Sequence, residues 1–439
     1  MTAPMDVGAL TGARLNEETQ MPDIGIIGAG TAGLHLALLL QQAGVPTRIY
    51  TNQTAEQVAS GPPQNSVSHH APTIARESAM GVNFWPTEKY GCQAHFHHLN
   101  VPGGPPVFRG DFLRPSRVLD YRIYLPRLMA EYEERGGTIE QRSVEPPDFE
   151  QLARRHDLIV VAAGKRSFAE YFGERPDVSP YARPQRHLAV GFWDGVAQTE
   201  PRAVTMSISP GHGELLDLPI TTFDGWASAL LCENVPGGDL EVLMTQKESD
   251  DPDAYRNLVL EKLKEHHPTV YERIDQSRFK LMRPGDILQG AVRPVVREDY
   301  RLLEDGTVVL ALGDAHCTVD PVTGQGANSA SFEAQVAADA IIEDGVVDER
   351  FAQKVALRRR ERVDGLSTWV NTMISTPSPP HLQKLLGAMA QMRTLCDEFT
   401  ENFSYPHRNG DMVATPERVD AAIARHAGIG SDPTGRKAI

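Results

Sequence analysis

Cysteine is scarce: four in 439 residues, Cys92, Cys232, Cys317 and Cys396, with no Cys-x-x-Cys among them. Neither a disulfide framework nor a thiolate zinc ribbon can be built from them, and a reducing cytoplasm is the expected location. Long apolar runs are missing too. No segment approaches the roughly 18 uninterrupted apolar residues that a membrane span needs, and the first twenty residues carry no signal-peptide pattern; they read as a polar extension, and a soluble protein is expected. Positive charge is also short. With 43 Lys plus Arg against 58 Asp plus Glu, the net charge of -15 disfavours nucleic acid and acidic membranes as partners. The short run Arg358-Arg359-Arg360, flanked by Glu361 and Asp364, reads as a solvated helix face. There is no internal repeat. The length suffices for two domains, or for one carrying an insertion.

What is present is patterned glycine. Ile24, Ile26 and Ile27 suit a buried parallel strand, and Gly28-Ala29-Gly30-Thr31-Ala32-Gly33 follows as Gly-x-Gly-x-x-Gly. A leucine-rich helix from Leu34 and a second strand at Thr47 to Tyr50 come next. Gly28 permits the tight turn, Gly30 removes the Cβ that would block a pyrophosphate, and Gly33 lets helix and strand approach closely. The helix N-terminus then faces the phosphates. This predicts a dinucleotide site.

Further along, Asn52 to Gly61 and Pro62 to His70 read as loop, from which Asn65 and His69 can reach over a cofactor. Ile74 to Met80 has helical character. His95-Phe96-His97-His98 alternates like a strand, but no neighbouring carboxylate or thiol completes a ligand set, so no metal is expected. Pro115 to Gly137 reads as a helix with Arg117 and Arg122 near its start, where a guanidinium can meet a phosphate or flavin edge, or simply solvent. Asp157 to Gly164 is a third buried strand. Short β-rich runs from Gln185 to Gln246, the last being Leu240 to Met244, predict an antiparallel sheet, followed by a helix over Asp253 to His267. Thr307 to Leu312 returns as a strand into Gly313-Asp314, then Asp320-Pro321-Val-Thr-Gly324-Gln325-Gly326-Ala327-Asn328 and a small-residue helix. A mostly helical tail follows, broken by the three prolines of Ser375 to Pro380.

The Gly-x-Gly-x-x-Gly pattern together with the distant Gly-Asp and Pro-x-x-Gly-x-Gly-x-Asn resembles flavoprotein monooxygenases of the hydroxylase-like fold. In that resemblance Asp314 binds the ribityl chain, and Pro321, Gly324, Gln325, Gly326, Ala327 and Asn328 form the turn and helix start facing the isoalloxazine. The half positive charge of a helix N-terminus favours an anionic reduced flavin. The implied cofactor is FAD, in an α/β fold: a Rossmann-like FAD-binding domain, an inserted β-rich substrate domain and a helical C-terminal region. The expected division is 21–70, 110–180 and 285–345 for the FAD domain, 71–109 and 181–284 for the substrate domain, and 346–439 for the helical region.

Asn65-Ser-Val-Ser-His69, Asn83-Phe-Trp-Pro86, Pro115-Ser-Arg-Val-Leu-Asp-Tyr-Arg122, Ser207-Ile-Ser-Pro-Gly-His-Gly-Glu214, Asp286-Ile-Leu-Gln-Gly290 and Asn402-Phe-Ser-Tyr-Pro406 narrow the resemblance to the oxygenase component of the styrene monooxygenase family. It implies FADH2 delivered by a separate NADH-dependent flavin reductase, and epoxidation of a vinyl-arene by O2 through a flavin C4a-hydroperoxide. Asn65 and His69 would be catalytic, and Val67, Cys92, His95 and Ser116 would shape the substrate pocket. Two departures stand out: Cys92 in place of an aromatic residue and Pro62 in place of an arginine. Oxidation of indole or an aryl sulfide is the alternative; a halogenase is disfavoured because the four tryptophans form no Trp-x-Trp-x-Ile-Pro. A homodimer is left open. Ala163-Gly164-Lys165 lacks the Asp-Gly that serves nicotinamide coenzyme in single-component relatives, and Tyr50-Thr51-Asn52 lacks the usual ribose-binding acid.

Overall fold

A computed structural model describes residues 21–101, 103, 106–164 and 166–427; the expected polar extension and Lys165 lie outside them. The first isoleucine-rich strand, Ile24–Ile27, is wholly buried between two parallel neighbours, Thr47–Thr51 and Leu158–Val161. Strand order across this six-stranded sheet is 300–302, 308–311, 158–161, 24–27, 47–51, 138–141. All pairs are parallel except the Tyr300–Leu302 hairpin strand. Continuous apolar runs such as Leu158–Val161 are what a strand covered on both faces requires. One cover is made by the Thr31–Gln42, Tyr121–Glu134 and Gly326–Asp344 helices, which bury Leu34, Leu38, Tyr124, Leu128 and Ala337 with the strands.

The second sheet has nine strands and is mixed. Strands 187–194, 225–234, 213–222 and 203–209 run antiparallel, as the β-rich block predicts. Gly91–Leu99, however, lies parallel to Ala203–Ser209. Val107–Leu119 pairs with Gly91–Leu99 and with Ser68–His69, so it crosses the boundary expected at 109/110 and belongs to this sheet throughout. Ile287–Ala291, expected with the FAD domain, also pairs here. The C-terminal helices seal the far face of this sheet with Trp369, Phe399 and Phe403; the Trp369 and Phe403 rings meet edge to face at 4.7 Å.

Four local expectations need correction. Ala55–Ser60 is a helix, because Thr54 and Gln57 form a capping box within what reads as loop. Leu240–Met244 is not a strand: Leu240 and Leu243 bury at helical spacing within 239–245. Pro115–Leu119 is strand, and the helix starts only at Tyr121, capped by Asp120. The basic run is not wholly solvated. Arg359 is fully buried, bonded to Asp299 at 2.7 Å and to Glu333 at 3.1 Å beneath the Gly313 turn.

Candidate functional site

The C-terminal ends of the parallel strands open into a cavity of about 640 Å³. Its floor is built by the patterned glycines, and they divide by what surrounds them. Gly28 has φ +110°, and a Cβ there would come within 2.8 Å of the Ala162 carbonyl oxygen; a Cβ on Gly33 would lie 2.0 Å from the Gly28 carbonyl oxygen. Those two are demanded by the protein itself, and Gly324 by its left-handed backbone at φ +60°. Gly30, Gly324 and Gly326 would meet no protein atom within 4 Å. The space they leave open is what a pyrophosphate and a flavin ring need against backbone, so the site fits a bound FAD.

Gly28 to Ala32 line the cavity together with Gly313, Asp314, Pro321 and Gly324 to Ala327. Asp314 is exposed to the cavity, and desolvation by the surrounding protein raises its carboxyl above the usual range, opposed by Arg297. Gly33 lies behind the wall. Asn328 does too, correcting its expected cofactor contact: its amide donates to the Ser68 carbonyl at 2.7 Å and to the Gly324 carbonyl at 3.0 Å. Its oxygen accepts from His70 N at 3.0 Å and Thr73 Oγ1 at 2.8 Å. Asn328 therefore clamps the flavin-facing turn to the segment carrying Asn65 to His69.

Asn65 and Val67 line the cavity. His69 does not. It is fully buried, with Nδ1 2.9 Å from Glu77 Oε1 and Nε2 2.9 Å from the Tyr121 hydroxyl, and it is Tyr121 that reaches the cavity wall. Thr31 in the glycine loop donates to the same hydroxyl at 3.2 Å. From the other side Tyr124 donates to Glu77 Oε1 at 2.8 Å, while His35 bridges Tyr124 and Ser331. Every donor in these chains points toward Glu77, which fixes His69 as the Nδ1–H tautomer. Burial, with Arg117 next, holds the His69 pKa well below its ordinary value, so the ring is neutral.

Arg117 and Arg122 are corrected as cofactor ligands. Arg117 is fully buried and bonded to Glu77, Asn83 Oδ1 and the Trp85 carbonyl. Arg122 pairs with Asp120 at 2.7 Å and Asp286 at 2.6 Å. Buried carboxylates demand such partners before any ligand does. Cys92, His95 and Ser116 are likewise buried in the nine-stranded sheet off the cavity wall, with Cys92 opposite Ser116 in register. His95 packs edge to face on Phe403 and Phe112.

The wall that sequence reasoning missed is apolar. Leu188 and Val190, Leu216 and Leu218, and Leu231 project from three adjacent strands into the cavity. The period-two spacing within each run is the signal that marks them. Where an acid is absent after the second strand, Thr51, Asn52 and Gln53 line the cavity.

Residues 164–273 match the family model described as "Styrene monooxygenase A putative substrate binding domain". Over 400 residues, 90% of this chain and 96% of the relative, the sequence is 44% identical to styrene monooxygenase StyA of Pseudomonas fluorescens. Among solved structures, a flavoprotein/dehydrogenase from Cytophaga hutchinsonii superposes with TM-score 0.64 at 12% identity, covering 94% of this chain and all of that one. CmlS, a flavin-dependent halogenase, gives TM-score 0.61 at 17% identity over 88% of this chain and 76% of its own. These two likenesses establish the fold. No helix among the described residues is long and apolar enough to cross a membrane.

Proposed function

The chain belongs to the styrene monooxygenase family of two-component, FAD-dependent monooxygenases, and on that premise we propose that it epoxidises styrene-like vinyl-arenes with O2 and FADH2. The FADH2 comes from a separate NADH-dependent flavin reductase, in a cytoplasmic setting that suits four free buried cysteines. Overall, one oxygen atom of O2 enters the epoxide and the other leaves as water with the two hydrogens of FADH2. When bound, the reduced flavin supplies the electrons that activate oxygen.

The observation that carries this reading is that one cavity joins the glycine floor to the leucine and valine wall. The floor takes a dinucleotide; the wall takes a flat apolar substrate and keeps water out. Val67 belongs to the substrate side of this arrangement, and Asn65 offers an amide to the reacting oxygen. His69 acts through Tyr121, holding its hydroxyl in place.

The test is turnover of purified protein with styrene, NADH and a flavin reductase. Styrene oxide is expected with reductase present, and no NADH consumption without it. Rapid NADH oxidation by the isolated chain, or absence of epoxide in the complete mixture, would sink the proposal. Indole and an aryl sulfide, run in parallel, rank the substrate classes.

A further inference from the structure

Asp320 opens the turn that carries Pro321, Gly324, Gln325 and Gly326 to the cavity. It is fully buried, and its Oδ1 accepts from Val322 N at 3.1 Å. Its Oδ2 receives no donor from the protein. The carboxyl it meets is Glu233, also fully buried, on the Gly225–Asn234 strand. Neither oxygen of Glu233 receives a protein donor. Two residues back, and therefore on the same face of the strand, Leu231 lines the cavity. The Glu233–Asp320 contact thus joins the cofactor-facing turn to the strand that carries the substrate-facing wall.

Two carboxylates with only acceptor atoms repel one another, and inside the protein that repulsion is not screened by water. The surroundings do not resolve it. Glu214 sits opposite Glu233 in register and adds negative charge. Arg186 is the positive group at this cluster, and it is engaged by Glu214 at 2.7 and 3.0 Å and by the Ile374 carbonyl at 2.9 Å. The adjoining Cys232 thiol is neutral, its pKa pushed up to about 12 by burial. A proton between the two carboxyls is the species that satisfies the contact.

We propose that Glu233 is a positioning residue for the flavin: it stays protonated at neutral pH, donates its proton to Asp320, and so pins the Pro321 to Gly326 turn against the nine-stranded sheet. Burial, reinforced by the Asp320 charge, raises the Glu233 carboxyl well above its usual range, which agrees with the proton residing there. Asp320 then keeps the charge and accepts from both Glu233 and Val322 N. Loss of the shared proton in alkali leaves the two carboxylates in repulsion and frees the turn.

This inference rests on the flavin reading of the cavity, and its test has one arm that needs no flavin. Infrared spectra of wild type and Glu233→Gln are compared at neutral pH. Wild type is expected to show a protonated-carboxyl C=O band, shifted by deuteration, that the variant lacks. In the second arm FAD affinity is titrated from about pH 6 to 9. Wild type is expected to lose about tenfold toward the alkaline end, the cost of a hydrogen bond to a charged group. Glu233→Gln, whose amide is a donor at every pH, is expected to bind with wild-type neutral affinity and a flat profile. Absence of the band difference overturns the shared proton; equal pH profiles in the two proteins overturn the positioning role. If FAD binds neither protein at any pH, the flavin reading falls and the positioning role with it, while the infrared arm still reports the proton.

Discussion

His69 and Tyr121 are hydrogen-bonded at 2.9 Å, and of the two only Tyr121 touches the cavity. The histidine is therefore the support and the tyrosine the presented group. Since His69 leans on Glu77, which also receives Tyr124 and Arg117, one buried carboxylate organises the cavity wall and the core behind it.

Tyr121→Phe and His69→Phe are expected to be non-additive. Each breaks the same Tyr121–His69 bond, so the double variant should lose markedly less epoxidation rate and stability than the sum of the singles. Buried groups left unpaired cost about 1–3 kcal/mol each, and coupling between contacting residues reaches a comparable size. A thermal-melt and kcat/KM cycle checks it, and strict additivity would separate the two residues.

Arg117→Met is expected to destabilise by about 3–5 kcal/mol, because Glu77 is left as a buried charge without its cation. FAD affinity of the remaining folded protein should be unchanged. Denaturant titration alongside flavin fluorescence distinguishes this from a phosphate-binding role, in which stability would hold and affinity would fall.

The glycine pattern separates two kinds of constraint, and alanine scanning should reveal both. At Gly33 an added Cβ would overlap the Gly28 carbonyl oxygen at 2.0 Å, so Gly33→Ala should melt early with or without ligand. At Gly30 nothing lies within 4 Å, so Gly30→Ala should melt like wild type and lose FAD affinity. A normal FAD titration of Gly30→Ala would remove the pyrophosphate from that position.

The same contrast explains what was legible in the sequence. Backbone-determined features are written locally: Gly28 to Gly33, the Gly313-Asp314 turn and the strand at Leu158–Val161 stand where the pattern puts them. Side-chain assignments at long range are not. Arg117 looks available for a phosphate until Glu77, forty residues away, is folded against it. Arg359 looks solvated until Asp299 and Glu333 surround it. Asn328 sits in a cofactor motif yet spends all its hydrogen bonds on Ser68, His70, Thr73 and Gly324, a clamp that only the tertiary fold creates. The apolar wall was readable in principle, from the two-residue spacing of Leu188 with Val190 and Leu216 with Leu218. Which face of those strands meets the cavity was not.

Acid sensitivity follows from the buried histidines. Burial pushes His70, His97 and His267 down to about 3 and His98 to about 4, while the unfolded chain titrates near the ordinary 6.5. Between those values the unfolded state binds more protons than the folded one, so stability rises with pH there and is lost as pH falls below about 6.5. Each such histidine contributes a slope of up to about 1.4 kcal/mol per pH unit. The raised carboxyls, Glu233 and Asp314 among them, oppose this trend and are outnumbered by the lowered histidines. Calorimetry from about pH 7 to 5 should show a steep fall in Tm, and His97→Gln should make it shallower, even at some cost in Tm from losing the stacking on Phe108. A Tm that is flat across this range, or a His97→Gln slope equal to wild type, would mean that the buried imidazoles reach water before the protein unfolds.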